Sequence, residues 1–230
     1  VAKICLDYGH GGNDPGAVYK GRKESEDNLA LGGAVAAELR RQGVVVDEIR
    51  TTDKAVSLVE RSSFANSKGC DYFISFHRNA FKPEQDKGVE TFVYTSPSTK
   101  SVQLAEKIQA ALVGVGFTNR GVKKANFHVL RETKAPAVLV EVGFIDNSGD
   151  NQLFDSKRDE IIKALVKAIL SQLGISYTAP SSGSQTAPSS GQILYRVMAG
   201  SYAVRGNAER QVKRLKAAGF DATIMIYEKS

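Results

Sequence analysis

Ala137-Val138-Leu139-Val140-Glu141-Val142-Gly143-Phe144 is the stretch on which the fold turns. A short apolar, β-branched run without polar alternation is what a central strand of a helix-covered parallel sheet needs. Glu141 interrupts it. A carboxylate in such a place shifts its pKa or finds a cation. It therefore marks either a strand end that reaches solvent or an Arg, or a reactive site. Three more polar residues, His10, Glu24 and His77, stand where other apolar runs end.

Working outward, Ala2–Leu6, Val44–Ile49, Asp71–Phe76, Glu90–Thr95 and Phe127–Leu130 read as further strands. Between them lie helical patterns. One runs from Ser25, as its cap, to about Gln42, with Glu24 in the loop before it and Gly32 and Gly33 marking close packing. Ser57-Leu58-Val59-Glu60 is a capping box that starts a helix to about Lys68. Ser98–Gly114 and Arg158–Leu173 complete the set, the latter with Ile161, Leu165, Val166, Ile169 and Leu173 on one face. Alternating strands and helices predict an α/β fold with a mostly parallel sheet. Ligands bind such sheets beyond the carboxyl ends of the strands. His10 and His77 follow their strands and Glu24 follows the first loop, so distant residues converge on one edge.

Asp7-Tyr8-Gly9-His10-Gly11-Gly12-Asn13-Asp14-Pro15-Gly16 is a loop whose glycines let backbone approach a ligand closely. It has neither the Gly-x-Gly-x-x-Gly spacing nor a Lys-Ser/Thr ending, which argues against a phosphate cradle. Two His and one carboxylate on convergent loops suit zinc with an open fourth position. A second carboxylate, Glu141, then takes the proton of a water. His-Glu-x-x-His spacing is absent, so a helix-borne zinc protease scheme has no support.

The chain has 230 residues, 42% hydrophobic and 24% charged, and a net charge of +6. This is the composition of a globular protein, and no apolar run approaches a membrane span. It opens at Val1 directly into a strand-like run, so a leader was either removed or never present. Cys5 and Cys70 have no CxxC spacing and read as reduced, buried hydrophobes. Residues 176–191 carry no charge and contain Ala-Pro-Ser-Ser-Gly twice, the pattern of a flexible linker. The remaining piece, 192–230, holds seven Lys/Arg against three Asp/Glu. Its basic balance points to an anionic partner or to a solvated helix face. Ile193–Ala199, Asn207–Ala218 and Ala222–Tyr227 read as a βαβ piece, half of a ferredoxin-like module and too small for a core of its own.

Four segments together carry a family resemblance. They are Leu6–Ala17, Lys23-Glu24 before Asn28-Leu29-Ala30, Phe73-Ile74-Ser75-Phe76-His77-Arg78-Asn79-Ala80, and Leu139-Val140-Glu141-Val142-Gly143-Phe144. In that order and spacing they resemble the zinc-dependent N-acetylmuramoyl-L-alanine amidases of the type-3 family, over residues 2–175. The resemblance implies a mixed six-stranded sheet between helices and hydrolysis of the amide joining N-acetylmuramic acid to L-alanine in peptidoglycan. It implies zinc ligands His10, Glu24 and His77, with Glu141 as acid/base. Tyr8 stands where proline is usual, and Arg78 where a small residue is usual. Arg78 either reaches a stem-peptide carboxylate or is a surface charge. Asn79 either binds substrate or caps a loop, and His128 is not counted as a ligand.

In the tail, Tyr195–Tyr202, Asn207-Ala208-Glu209 and Leu215–Ala222 resemble one repeat of a SPOR domain, whose family binds peptide-free glycan. Two chains each donating a repeat would complete one domain, giving a homodimer; a decayed module is the other reading. The implied partner is peptidoglycan, not nucleic acid. Left open are a phage endolysin, a sporulation autolysin and a germination enzyme. A non-catalytic wall binder, a carboxypeptidase and a sugar deacetylase are the competing functions.

Overall fold

The computed structural model describes residues 1–179, 205–217 and 224. The chain forms two units, Val1–Pro180 and Ser181–Ser230. In chain order the described elements begin with β1 (Lys3–Tyr8), β2 (Val18–Tyr19), β3 (Arg22–Lys23), α1 (Glu24–Arg41) and β4 (Val45–Glu48). Next come α2 (Leu58–Lys68), β5 (Tyr72–Asn79), β6 (Val89–Val93), α3 (Thr99–Val115) and β7 (Asn119–Lys124). The series ends with α4 (His128–Arg131), β8 (Ala137–Phe144), α5 (Ser148–Ser156), α6 (Arg158–Leu173) and α7 (Arg205–Ala217).

Six strands form one sheet in the order β4-β1-β5-β8-β6-β7. The first four are mutually parallel; β6 runs antiparallel to β8, and β7 parallel to β6. This is the mixed, mostly parallel sheet expected. Alternation along each strand sends Ile4, Leu6, Tyr8, Ile74, Phe76, Val138, Val140 and Val142 to one face, where they join apolar residues of α1, α3 and α6. Cys5, Phe73, Ala137 and Leu139 face the other way, toward Ala65 of α2 and Val129 and Leu130 of α4. Three layers result.

Particular residues explain local choices. Ser57 accepts from Glu60 N while the Glu60 side chain accepts from Ser57 N, the reciprocal box read from sequence. A Cβ at Gly32 would fall 2.1 Å from the Tyr8 ring, so only glycine lets α1 close on that tyrosine. Tyr8 is fully buried and donates its hydroxyl to Glu48 Oε2 at 2.7 Å.

Four expectations need correction. Ser25 does not cap α1: the helix starts at Glu24, its N-cap Lys23 has no side-chain bond, and the first N–H groups are met by loop carbonyls (Glu24 N to Ala17 O, Ser25 N to Pro15 O). His77 lies inside β5 rather than after it. Phe127–Leu130 is not a strand. Val129 and Leu130 are both buried in the short helix α4, and so brief an apolar run carries no period to tell the two apart.

The fourth correction concerns the cysteines. Cys5 and Cys70 are joined by a disulfide with Cα atoms 5.8 Å apart. Their separation of 65 residues says nothing of contact, but β1 and β5 are neighbours with Cys5 opposite Phe73. Closing so long a loop is expected to stabilise the fold by about 2–4 kcal/mol. Urea unfolding with and without reductant checks this; a midpoint that reductant leaves in place would mean two free thiols.

Residues 176–179, assigned to the linker, belong to the first unit. Thr178 N donates to Gln42 Oε1, and Thr178 O accepts from Arg41 and Gln42. Of the βαβ piece, α7 and the single residue Ile224 fall within the described residues; the rest of its two expected strands, and any dimer they would build, lie outside them. No helix among the described residues is long and apolar enough to cross a membrane.

Candidate metal centre

The site begins where β1 ends. His10 has φ 63, a conformation few non-glycine residues adopt and one that recurs at functional sites. Two buried arginines hold it there. Arg50 donates to Tyr8 O, Gly9 O and Ser25 O, and Arg61 to Tyr8 O, His10 O and the Asp7 carboxylate. The Cβ of an alanine at Gly11 would lie 2.4 Å from Lys54 O, so the loop is seated against its neighbour.

His10 Nδ1 lies 2.8 Å from Asp14 Oδ2, and its Nε2 lies 3.2 Å from Glu24 Oε2. A carboxylate on one ring nitrogen fixes the tautomer and turns the other nitrogen outward as a ligand atom. Glu24, the first residue of α1, is buried and uses both oxygens. Oε2 accepts from Ala17 N, and Oε1 from Arg78 N, with His77 Nδ1 2.8 Å away. The imidazoles meet edge to face with centroids 5.0 Å apart. Donor atoms of His10, Glu24 and His77 all lie within 4.8 Å of one another. Two imidazole nitrogens and one carboxylate oxygen at that spacing fit a divalent metal with an open position.

The charges fit as well. Burial opposes a charged His10, but Glu24 and Asp14 outweigh it and raise its pKa to about 9. His77 is also raised, burial again being outweighed by Glu24 and Glu141. Burial pushes Glu24 up, yet the two imidazoles hold it well below the usual carboxylate range. The trio thus behaves as a carboxylate gripping cations, the demand a metal ion would meet.

Glu141 sits one strand over, in register with His77, and its Oε2 is buried without a hydrogen-bond partner. Burial pushes its pKa up to about 7. On the other side Glu141 is in register with Glu90 on β6. Glu90 is held by Asn79, Arg120 and Lys123. The four residues singled out in the sequence therefore meet at the carboxyl edge of the parallel strands.

The substrate-binding expectations fare differently. Arg78 is no surface charge. Its side chain is wholly buried, bonds Asp27 at 2.6 Å and Asn151 at 2.7 Å, and lies over the Phe154 ring. None of its side chain is exposed to solvent. Asn79 spends its amide nitrogen on Glu90 and its oxygen on Ala80 N. His128, at the start of α4, has Nε2 3.3 Å from Ser62 Oγ and stands apart from the trio. Sequence reasoning missed Asp14, Arg50, Arg61 and Glu90. Only Asp14 left a signal, a carboxylate four residues from His10 in a glycine loop.

Gly9 supports His77 directly: an added Cβ would fall 2.2 Å from the ring. Gly9→Ala is expected to weaken metal binding by roughly tenfold or more through ring displacement. Titration against a chromophoric chelator reads this, and unchanged affinity would show that the ring shifts harmlessly.

An imidazole–carboxylate–imidazole trio able to hold a metal ion, with a further carboxyl one strand over at the edge of an α/β sheet, is an arrangement suited to metal-assisted hydrolysis. Residues 4–171 match the N-acetylmuramoyl-L-alanine amidase family, and residues 163–226 match the SPOR domain, starting within α6. The chain is 34% identical over 230 residues to the sporulation-specific N-acetylmuramoyl-L-alanine amidase of Bacillus subtilis (strain 168), covering 98% of this chain and 85% of that protein. It is 33% identical over 235 residues to the N-acetylmuramoyl-L-alanine amidase CwlM of Bacillus licheniformis, covering 100% and 87%. The crystal structure of an N-acetylmuramoyl-L-alanine amidase from Clostridium difficile 630 matches with TM-score 0.72 and 33% identity, over 75% of this chain and 97% of that one. The chain belongs to the N-acetylmuramoyl-L-alanine amidase family and is an amide hydrolase.

Proposed function

We propose that this chain hydrolyses the amide between the lactyl group of N-acetylmuramic acid and L-alanine in peptidoglycan, with one zinc ion held by His10, Glu24 and His77. The observation that carries the reading is Glu141, a buried carboxyl with an orphaned oxygen, in register with a candidate ligand. Bound there, zinc supplies a Lewis acid that lowers the pKa of a water and polarises the amide carbonyl. Glu141 would accept the proton of the attacking water as its oxygen adds to the carbonyl carbon. Burial raises the Glu141 carboxyl and a bound divalent cation would lower it again, which suits a group that takes a proton and then gives it up. Glu141 would deliver the same proton to the alanine nitrogen as the C–N bond breaks, leaving a lactyl carboxylic acid and an amine that settle as carboxylate and ammonium at neutral pH. Asp14 holds the His10 ring, and Arg50 and Arg61 hold the loop that carries it.

The SPOR match and the basic balance of the tail support a wall-binding role for the second unit. Digesting purified peptidoglycan tests the main reading. New alanine amino termini should appear, vanish on chelation and return with zinc. Release of free terminal amino acid or acetate instead would identify another zinc hydrolase.

A further inference from the structure

Glu90 takes no part in the proton transfer, yet it is buried directly beside Glu141, opposite it on the paired strand β6. Residues opposite each other on paired strands send their side chains to one face, with Cβ atoms roughly 5 Å apart. Two like charges so placed destabilise a sheet, so this pairing calls for a reason.

The surroundings of the two carboxyl groups differ. Glu90 Oε1 accepts from Asn79 Nδ2, and Oε2 accepts from Arg120 Nε at 3.2 Å and from Lys123 Nζ. Asn79 belongs to β5, Arg120 and Lys123 to β7. β8, which carries Glu141, lies between β5 and β6, so the Asn79–Glu90 bond spans that strand. The Arg120 guanidinium lies 4.8 Å over the ring of Phe144, also on β8. Donors thus reach across the strand of Glu141, but none bonds its buried Oε2.

A carboxylate beside guanidinium, ammonium and amide donors forms charge-assisted bonds unless another acceptor holds them. Glu90 is that acceptor, and Asp86 takes Arg120 Nη1 at 2.9 Å. We propose that Glu90 is a positioning residue, a role that rests on Glu141 being the acid/base. By occupying Asn79, Arg120 and Lys123 it leaves Glu141 untied on the β6 side and free to face the reacting water. A Glu141 tied to Arg120 would have to surrender a charge-assisted bond before taking a proton.

The test compares full-length variants. Glu90→Ala should lower kcat on a soluble muropeptide about tenfold or more, the worth of one hydrogen bond to a charged group, with KM within about twofold. Adding Arg120→Leu, which keeps an apolar side chain on Phe144, should restore most of that kcat. Arg120→Leu alone should stay near the parent, and zinc retention should be equal throughout. Glu90→Gln keeps the volume but holds two cations less firmly, so it should show a smaller loss, repaired by the same second substitution. A second reading needs no turnover. In metal-free protein, urea unfolding across a cycle of Glu141→Gln and Arg120→Leu should show more coupling in the Glu90→Ala background than in the parent. Equal coupling in both backgrounds, or a double variant no faster than Glu90→Ala, would overturn the role of Glu90. Parental kcat in Glu141→Gln, with the coupling as expected, would overturn only the acid/base reading.

Discussion

Glu141→Gln is expected to lower kcat by roughly 10³-fold while leaving metal retention intact. Gln keeps the volume and the position in β8 but cannot accept a proton. The substitution removes proton transfer and spares the trio of donor atoms. Burial raises the Glu141 pKa from 4.5 to about 7, which fixes the sign of a second effect. A carboxyl that binds its proton more tightly folded than unfolded loses stability as pH climbs through that window. The metal-free parent should therefore weaken between pH 4.5 and 7 relative to the Gln variant, and the gap should persist above pH 7. Turnover of a muropeptide and urea unfolding at several pH values read the two effects. A kcat within tenfold of the parent would remove Glu141 from the chemistry.

The candidate site residues were legible because each breaks a pattern: Glu141 interrupts an apolar strand, and His10 sits in a glycine-rich loop where Gly16 packs against its ring. What could not be read rests on contacts between distant segments. Arg78 shows this. In a strand, neighbours of His77 point to the opposite face. Arg78 therefore leaves the cleft and meets Asp27 and Asn151, 51 and 73 residues away. Arg50 and Arg61 look like ordinary charges until the fold turns them onto carbonyls of the His10 loop. The sheet order was legible only as alternation. That β6 and β7 reverse direction depends on the loop after β5 crossing over the end of β8, where Glu84 N donates to Asp146 O. β7, with only partly buried side chains, offered no apolar run to find.

Glu24→Gln is expected to abolish hydrolysis and to weaken zinc binding by more than about 100-fold, beyond the loss caused by disturbing an outer partner. Each Glu24 oxygen already accepts a backbone N–H, from Ala17 or from Arg78. An amide nitrogen in either place sets donor against donor. The pH dependence separates the metal-free protein from the loaded one. Without metal, the depressed Glu24 contributes stability above its ordinary pKa of 4.5, lost as pH falls. The raised imidazoles contribute stability below their ordinary 6.5, lost as pH rises through about 9 for His10. The deficit of the Gln variant should therefore be greatest between pH 4.5 and 6.5 and shrink on both sides. Zinc has the opposite demand, because a ring must shed its proton before its nitrogen can ligate. Apparent zinc affinity of the parent should climb from pH 6 to about 9, by up to about tenfold per unit for each proton displaced. Urea unfolding with chelator and competitive zinc titration measure the two slopes. Slopes of the same sign would mean that these imidazoles do not hold the metal.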